Sequence, residues 1–263
     1  VMGSGWAIDH LFPYPLGYQV MFVASFLVAI LEIVWWLRLR EPAVHPDGPG
    51  QAAAPARIGL RSYLSVFRHR PFLRFTLVSI PFHFTWMMAW PIFTRFQVSE
   101  LGMDNTWLSV LTVANSAIMM WAYPWLARRA ERYGNLRMMA FSAVQLALAP
   151  ILTAIVPNIQ WLVVVNLVTG IGVAGVNLFL LNNLLDVSSS EGRPVFLAVH
   201  AALVSLQAAI APLAGALMMN ALSNRTALWV SAGFRMVTGC MFFVLLYVER
   251  RGQGNAVLGA KGV

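Results

Sequence analysis

Charge is what this sequence has least of. Only 11% of its 263 residues are Asp, Glu, Lys or Arg, against roughly 25% in an ordinary soluble domain. A water-soluble protein of this size needs charged surface to stay dispersed, so the shortage excludes one. Lysine is nearly missing, with Lys261 alone against 17 arginines. Cysteine is reduced to Cys240, which excludes an internal disulfide and leaves the redox compartment unread. No segment alternates apolar and polar residues over the length of a barrel strand. Catalytic sets are missing too: no Ser–His–Asp arrangement, phosphate-cradling glycine loop or metal-ligand spacing can be built from five histidines and these acids. The sequence therefore points to no enzyme, no metal and no cofactor.

What is present in quantity is apolar, at 59% of residues, with a mean hydropathy of +0.69. A helix needs about 20 mostly apolar residues to cross the hydrocarbon core, because no water is there to satisfy its amides. Seven windows reach that length: 17–37, 72–93, 107–126, 138–156, 161–185, 195–219 and 226–248. The fold class is therefore all-α integral membrane, with seven transmembrane helices and the lipid bilayer as solvent. Trp35, Trp36, Trp107, Trp125, Trp161 and Trp229 fall near window ends, where an amphipathic ring suits the interface. No basic stretch precedes the first window, so no signal peptide is visible. A chain starting at Val1 and reaching a span by residue 17 is expected to be part of a longer protein.

The pI of about 10.5 suggests nucleic acid until the arginines are placed. Fourteen of the 18 basic residues fall in segments 38–71, 127–137 and 186–194 and in the tail after 248. The opposite loops hold only Arg95 and Arg225. That asymmetry is a topology signal: those segments are cytoplasmic, the N-terminus is outside and the C-terminus is inside. No nucleic-acid partner is implied. The connection 38–71 is long, basic and rich in Pro, Gly and Ala, the composition of a linker. It separates one span from a group of six, and so divides the chain into 1–37, 38–71, 72–251 and a tail at 252–263.

One span, a long basic linker and six closely spaced spans resemble the major facilitator superfamily from its sixth helix to its twelfth. The residues that carry the resemblance are Ala127-Arg128-Arg129-Ala130-Glu131-Arg132-Tyr133-Gly134-Asn135-Leu136-Arg137. The family's cytoplasmic loop reads Gly-x-x-x-Asp-Arg-x-Gly-x-(Arg/Lys)-(Arg/Lys). Arg132, Gly134 and Arg137 match it, Glu131 stands for the Asp, and Ala127 and Leu136 depart from it. The resemblance covers about residues 11–251. It implies one helix of an N-terminal half plus the six-helix C-terminal bundle of a twelve-helix transporter. Such a protein moves a small solute across the plasma membrane by alternating access between its halves, with a gating role for the motif loop. The missing N-terminal half would be its partner. A non-transporting membrane fragment or structural subunit is the alternative. A seven-helix receptor explains neither the linker nor the motif loop.

Polar residues inside spans mark pathways or helix contacts. His83, Trp86, Met87 and Trp90 share one face of the second window. Asn166, Gly170, Val173 and Asn177 form a stripe in the fifth, which the resemblance also assigns to the cavity. His83, Trp86, Trp90, Asn166 and Asn177 are therefore candidate cavity-lining residues, with hydrogen bonding between packed helices as the other reading. Gly170, Gly172 and Gly175 read as small residues at a close helix contact. His200, near a cytoplasmic end, reads as snorkelling or capping. Arg235 lies about 14 Å into the last span, near the middle of a core about 30 Å thick. No Asp or Glu lies in the last six windows. Glu32, in the first, sits about 8 Å from the cytoplasmic edge and misses that depth. A group outside the chain, backbone carbonyls, an anionic substrate or nothing remain open as partners of Arg235. No buried carboxylate speaks for proton coupling.

Overall fold

The computed structural model describes residues 2–11, 15–38, 63, 65–190 and 192–260. Most of the segment 38–71, and Lys261, lie outside them. Among the described residues every regular element is helical: α1 (Met2–His10), α2 (Leu16–Arg38), α3 (Arg70–Ser99), α4 (Asn105–Tyr133), α5 (Asn135–Ile155), α6 (Trp161–Asp186), α7 (Arg193–Ala221) and α8 (Asn224–Ala260). A single 3-10 turn, Val66–Arg68, leads into α3. The helices overrun their apolar windows because a helix continues into polar residues past the hydrocarbon edge. Two features go beyond the apolar windows: α1 precedes the first of them, and α8 runs on through residues expected to form a tail.

Among the described residues six helices are long and apolar enough to cross a membrane: α2, α4, α5, α6, α7 and α8. Seven were expected. The difference is α3, which at 30 residues is long enough, but whose apolar content is diluted by Thr76, Ser79, Pro81, His83, Thr85 and Pro91.

Local signals set the ends. Asp104 caps α4, its carboxylate accepting the Trp107 N–H at 2.7 Å. Pro71 and Pro194 occupy the first turns of α3 and α7, where a missing N–H costs nothing. Gly134 joins α4 to α5 at φ 84°, a conformation that favours glycine. Internal prolines at 81, 91, 124, 150 and 212 are tolerated where neighbouring helices accept the freed backbone groups.

The bundle is an open ring in which neighbours run α4, α6, α5, α8, α3, α7. The base of the ring is the α5–α8 pair, and α4 and α7 stand at its two tips. The main core gathers Phe72, Phe75, Phe82, Met139, Leu146, Phe179 and Phe242. A smaller core at the other end holds Ile92, Phe96, Leu111, Leu162 and Leu228. Small residues allow the close approaches: Gly175 lies against Ser142 of α5, and Gly170 against Ile118 of α4. At one end Arg225 pairs with Glu100 at 3.3 Å. At the other the Asn135 amide donates to Asp186 at 2.8 Å. These are called below the Glu100 end and the Gly134 end. Outside the ring, α1 packs on α4, and α2 packs on α1 and reaches α4 through Tyr18, whose hydroxyl accepts from the Asn105 amide at 3.0 Å.

Candidate functional site

The ring encloses a cavity of about 800 Å³ lined from α3, α4, α5, α6 and α8. Its mouth is at the Glu100 end, among Thr94, Gln97, Met103, Asp104 and Asn105, with Tyr18 beside it. Its closed end is formed by Trp86, Leu146, Val173 and Arg235. Three of the five candidate cavity-lining residues meet here. Trp86 and Trp90 line one wall from α3, and Asn166 lines the opposite one from α6. The Asn166 amide donates to the Leu162 carbonyl at 2.8 Å.

His83 and Asn177 are placed elsewhere. Asn177 is exposed on α6 outside the cavity lining. His83 is buried one turn before Trp86, its ring centroid 5.6 Å from that indole, and its Nδ1 donates to the Ser79 carbonyl at 3.1 Å. The shared face read from spacing is thus divided. The tryptophans turn to the cavity, and His83 joins the seam between α3 and α7.

That seam holds polar groups the sequence reading missed. The Ser79 hydroxyl lies 3.0 Å from His200 Nε2, and the His200 ring lies along Phe75. His200 is only 3% exposed, which corrects its expected snorkelling: α7 turns it toward α3, where a hydroxyl stands within reach. The Thr76 hydroxyl, His69 Nδ1 and both amide atoms of Gln207 are buried there without a partner. The regular recurrence of His69, Thr76 and His83 every seven residues was the available signal.

Arg235 is 1% exposed. Its Nη1 donates to the Leu146 carbonyl at 3.3 Å and its Nη2 to the Trp86 carbonyl at 3.2 Å. The first of these has a local cause. Pro150 stands four residues after Leu146 and has no N–H to return, so α5 offers a free carbonyl to α8. The guanidinium lies 5.8 Å from the Phe93 ring centroid, and Nε has no partner. Of the partners left open by the sequence, backbone carbonyls are the ones found. Glu32 is exposed on α2, which touches none of α3, α5 or α8, so it offers Arg235 no counter-charge.

At the Gly134 end, Gly134 closes α4, its N–H donating to Ala130 at 2.8 Å. Glu131 and Arg132 are exposed and Arg137 is half-buried. Among the described residues Glu131 forms no ion pair with these arginines. The arginines instead meet aromatic rings: Arg129 stands 4.0 Å over Trp125, and Arg132 lies 5.4 Å from Tyr133. No group of three His, Cys, Asp or Glu is placed to hold a metal ion among the described residues.

The combination is a ring of long, largely apolar helices around a cavity, with a short arginine-rich turn closing α4 at the Gly134 end. Residues 75–261 match the model of the Major Facilitator Superfamily. No curated protein matches the chain. The match spans well over half of the sequence and every helix of the ring, and the chain belongs to the Major Facilitator Superfamily, a family of membrane transporters.

Proposed function

We propose that this chain is the C-terminal part of a secondary transporter that moves a small solute by alternating access. In this reading 1–37 ends the N-terminal half, 38–71 is a cytoplasmic linker, and 72–251 is the six-helix half that carries the solute cavity. The observation that supports it most is the cavity itself. A space of about 800 Å³ falls within the range of small-molecule sites, and its lining includes the exposed Trp90, Thr112 and Ser116 along one side. Across its open side the N-terminal half would complete the site. With α3 counted as a span the chain crosses the plasma membrane seven times, N-terminus outside and C-terminus in the cytoplasm. The Glu100 end of the cavity then faces outward.

The test is accumulation of a panel of labelled small solutes by cells making the full-length transporter. Expressing cells accumulate at least one of them, and Ala149→Trp, which fills the cavity from α5, removes that uptake at unchanged surface expression. Equal accumulation with and without the protein, or uptake indifferent to the filled cavity, sinks the reading. Orientation is tested separately by single cysteines at Ser65 and Ser99 in a Cys240→Ala background. In intact cells only position 99 reacts with an impermeant thiol reagent, and reaction at 65 reverses the topology.

A further inference from the structure

The lining of the cavity has one charge at each end and none between. Asp104 stands at the mouth, where its carboxylate caps α4 by accepting the Trp107 N–H at 2.7 Å. Arg235 stands at the closed end, about 16 Å along α8 from its start at Asn224. The mouth charge is solvated and occupied. The inner charge is neither. Arg235 is 1% exposed, its two hydrogen bonds go to neutral carbonyls, and Nε has no partner. A guanidinium has five N–H donors, so most of its capacity is unused. A cation held this deep is costly unless a negative charge reaches it, and no Asp or Glu of the six ring windows can do so.

Four hydroxyls on the lining have their protons already engaged. The Thr112, Ser116, Thr153 and Thr169 hydroxyls each donate to a carbonyl of their own helix at 2.8 Å. They present lone pairs to the cavity, not protons. The walls nearest Arg235 are aromatic: Trp86 and Phe93, with Trp90 one turn further out. The one positive charge of the lining and its aromatic surface therefore lie at the same end.

We infer that the cavity takes an organic monoanion, its carboxylate-type group directed at Arg235 and its apolar body lying against Trp86, Trp90 and Phe93. The inference rests on the reading of this cavity as the solute site and names the class of solute. One guanidinium without a carboxylate partner matches one negative charge. A cationic solute would bring like charge to Arg235, and a neutral one would leave the buried charge as uncompensated as before.

The experiment is equilibrium binding to the purified full-length protein in lipid nanodiscs, with three probes of one shape: 2-naphthoate, 2-naphthamide and 2-naphthylmethylammonium. The naphthoate binds at least about tenfold tighter than the amide, the loss expected when a buried charge goes unpaired, and the ammonium binds most weakly. Arg235→Gln brings naphthoate down to the level of the amide, and Arg235→Lys keeps the order of the three. Equal binding of naphthoate and amide, no binding of naphthoate, or a preference that survives Arg235→Gln overturns the inference. Should Arg235→Gln not fold, the wild-type order of the probes decides alone. Uptake into vesicles separates this from the broader reading. Selective anion binding without transport retires transport only, whereas uptake of solutes with no preference for the anion retires the monoanion only.

Discussion

Helices α2 and α3 invert the rule that soluble proteins follow. α2 is the most apolar of the candidate spans, and none of its most apolar window is buried within the described chain. Phe22, Phe26, Leu31 and Leu37 stand on its exposed surface. α3 is the one ring helix too polar to pass as a span by composition, yet twelve of its thirty residues are buried. In water, apolar residues seek the interior. In lipid, both surroundings are apolar, so burial selects groups that need a hydrogen-bond partner or a close fit. His83, Ser79 and Thr85 are inside because lipid offers them nothing, while Phe26 can stay outside at no cost.

The comparison breaks if substitutions on α3 and its partners prove as harmless as those on α2. The largest effect is expected at Gly215 of α7, which sits against the Met88 carbonyl and the Pro91 ring of α3. Gly215→Leu forces these helices apart and lowers stability by about 3 kcal/mol, seen as a lower midpoint when the purified protein is unfolded with increasing SDS. Ser79→Ala comes next. It strips the hydroxyl from His200 Nε2 in a seam that already holds unpartnered polar atoms, at about 1–2 kcal/mol. Thermal unfolding followed by tryptophan fluorescence checks it, and an unchanged midpoint would show that the seam is not tied through Ser79. The smallest effect is expected on α2, where Phe26→Ser changes the stability of the ring by less than about 0.5 kcal/mol in the same assay. A loss there comparable to that of Gly215→Leu would mean that α2 is packed on the ring after all.

Much of the fold was legible because the bilayer leaves so few options. Each apolar window near 20 residues had to be a helix, and all seven windows lie within observed helices apart from a residue or so at window ends such as Val156. Gly134 was readable as part of the motif loop, and its positive φ is what a turn without spare residues demands. The site was legible only in part. Trp86, Trp90 and Asn166 do line one cavity, whereas His83 and Asn177 share their helical stripes and do not. Spacing fixes which residues share a face of a helix. It does not fix where that face is divided between a cavity and a neighbouring helix, as α3 divides Trp86 from His83. Arg235 was visible as an intramembrane charge, but its partners were not, since Leu146 and Trp86 are far from it in sequence and serve through their backbones.

The sequence by itself determined that this protein is helical, that it lives in lipid and where its apolar helices lie, because apolar length and unsatisfied amides permit nothing else there. The tertiary structure alone decided that α5 and α8 form the base of the ring, that His200 meets Ser79, and that Arg235 closes the cavity on a carbonyl freed by Pro150. The physical reason is that helix neighbours in a membrane are chosen by shape and by hydrogen bonds between distant residues, and neither leaves a periodic trace in the chain.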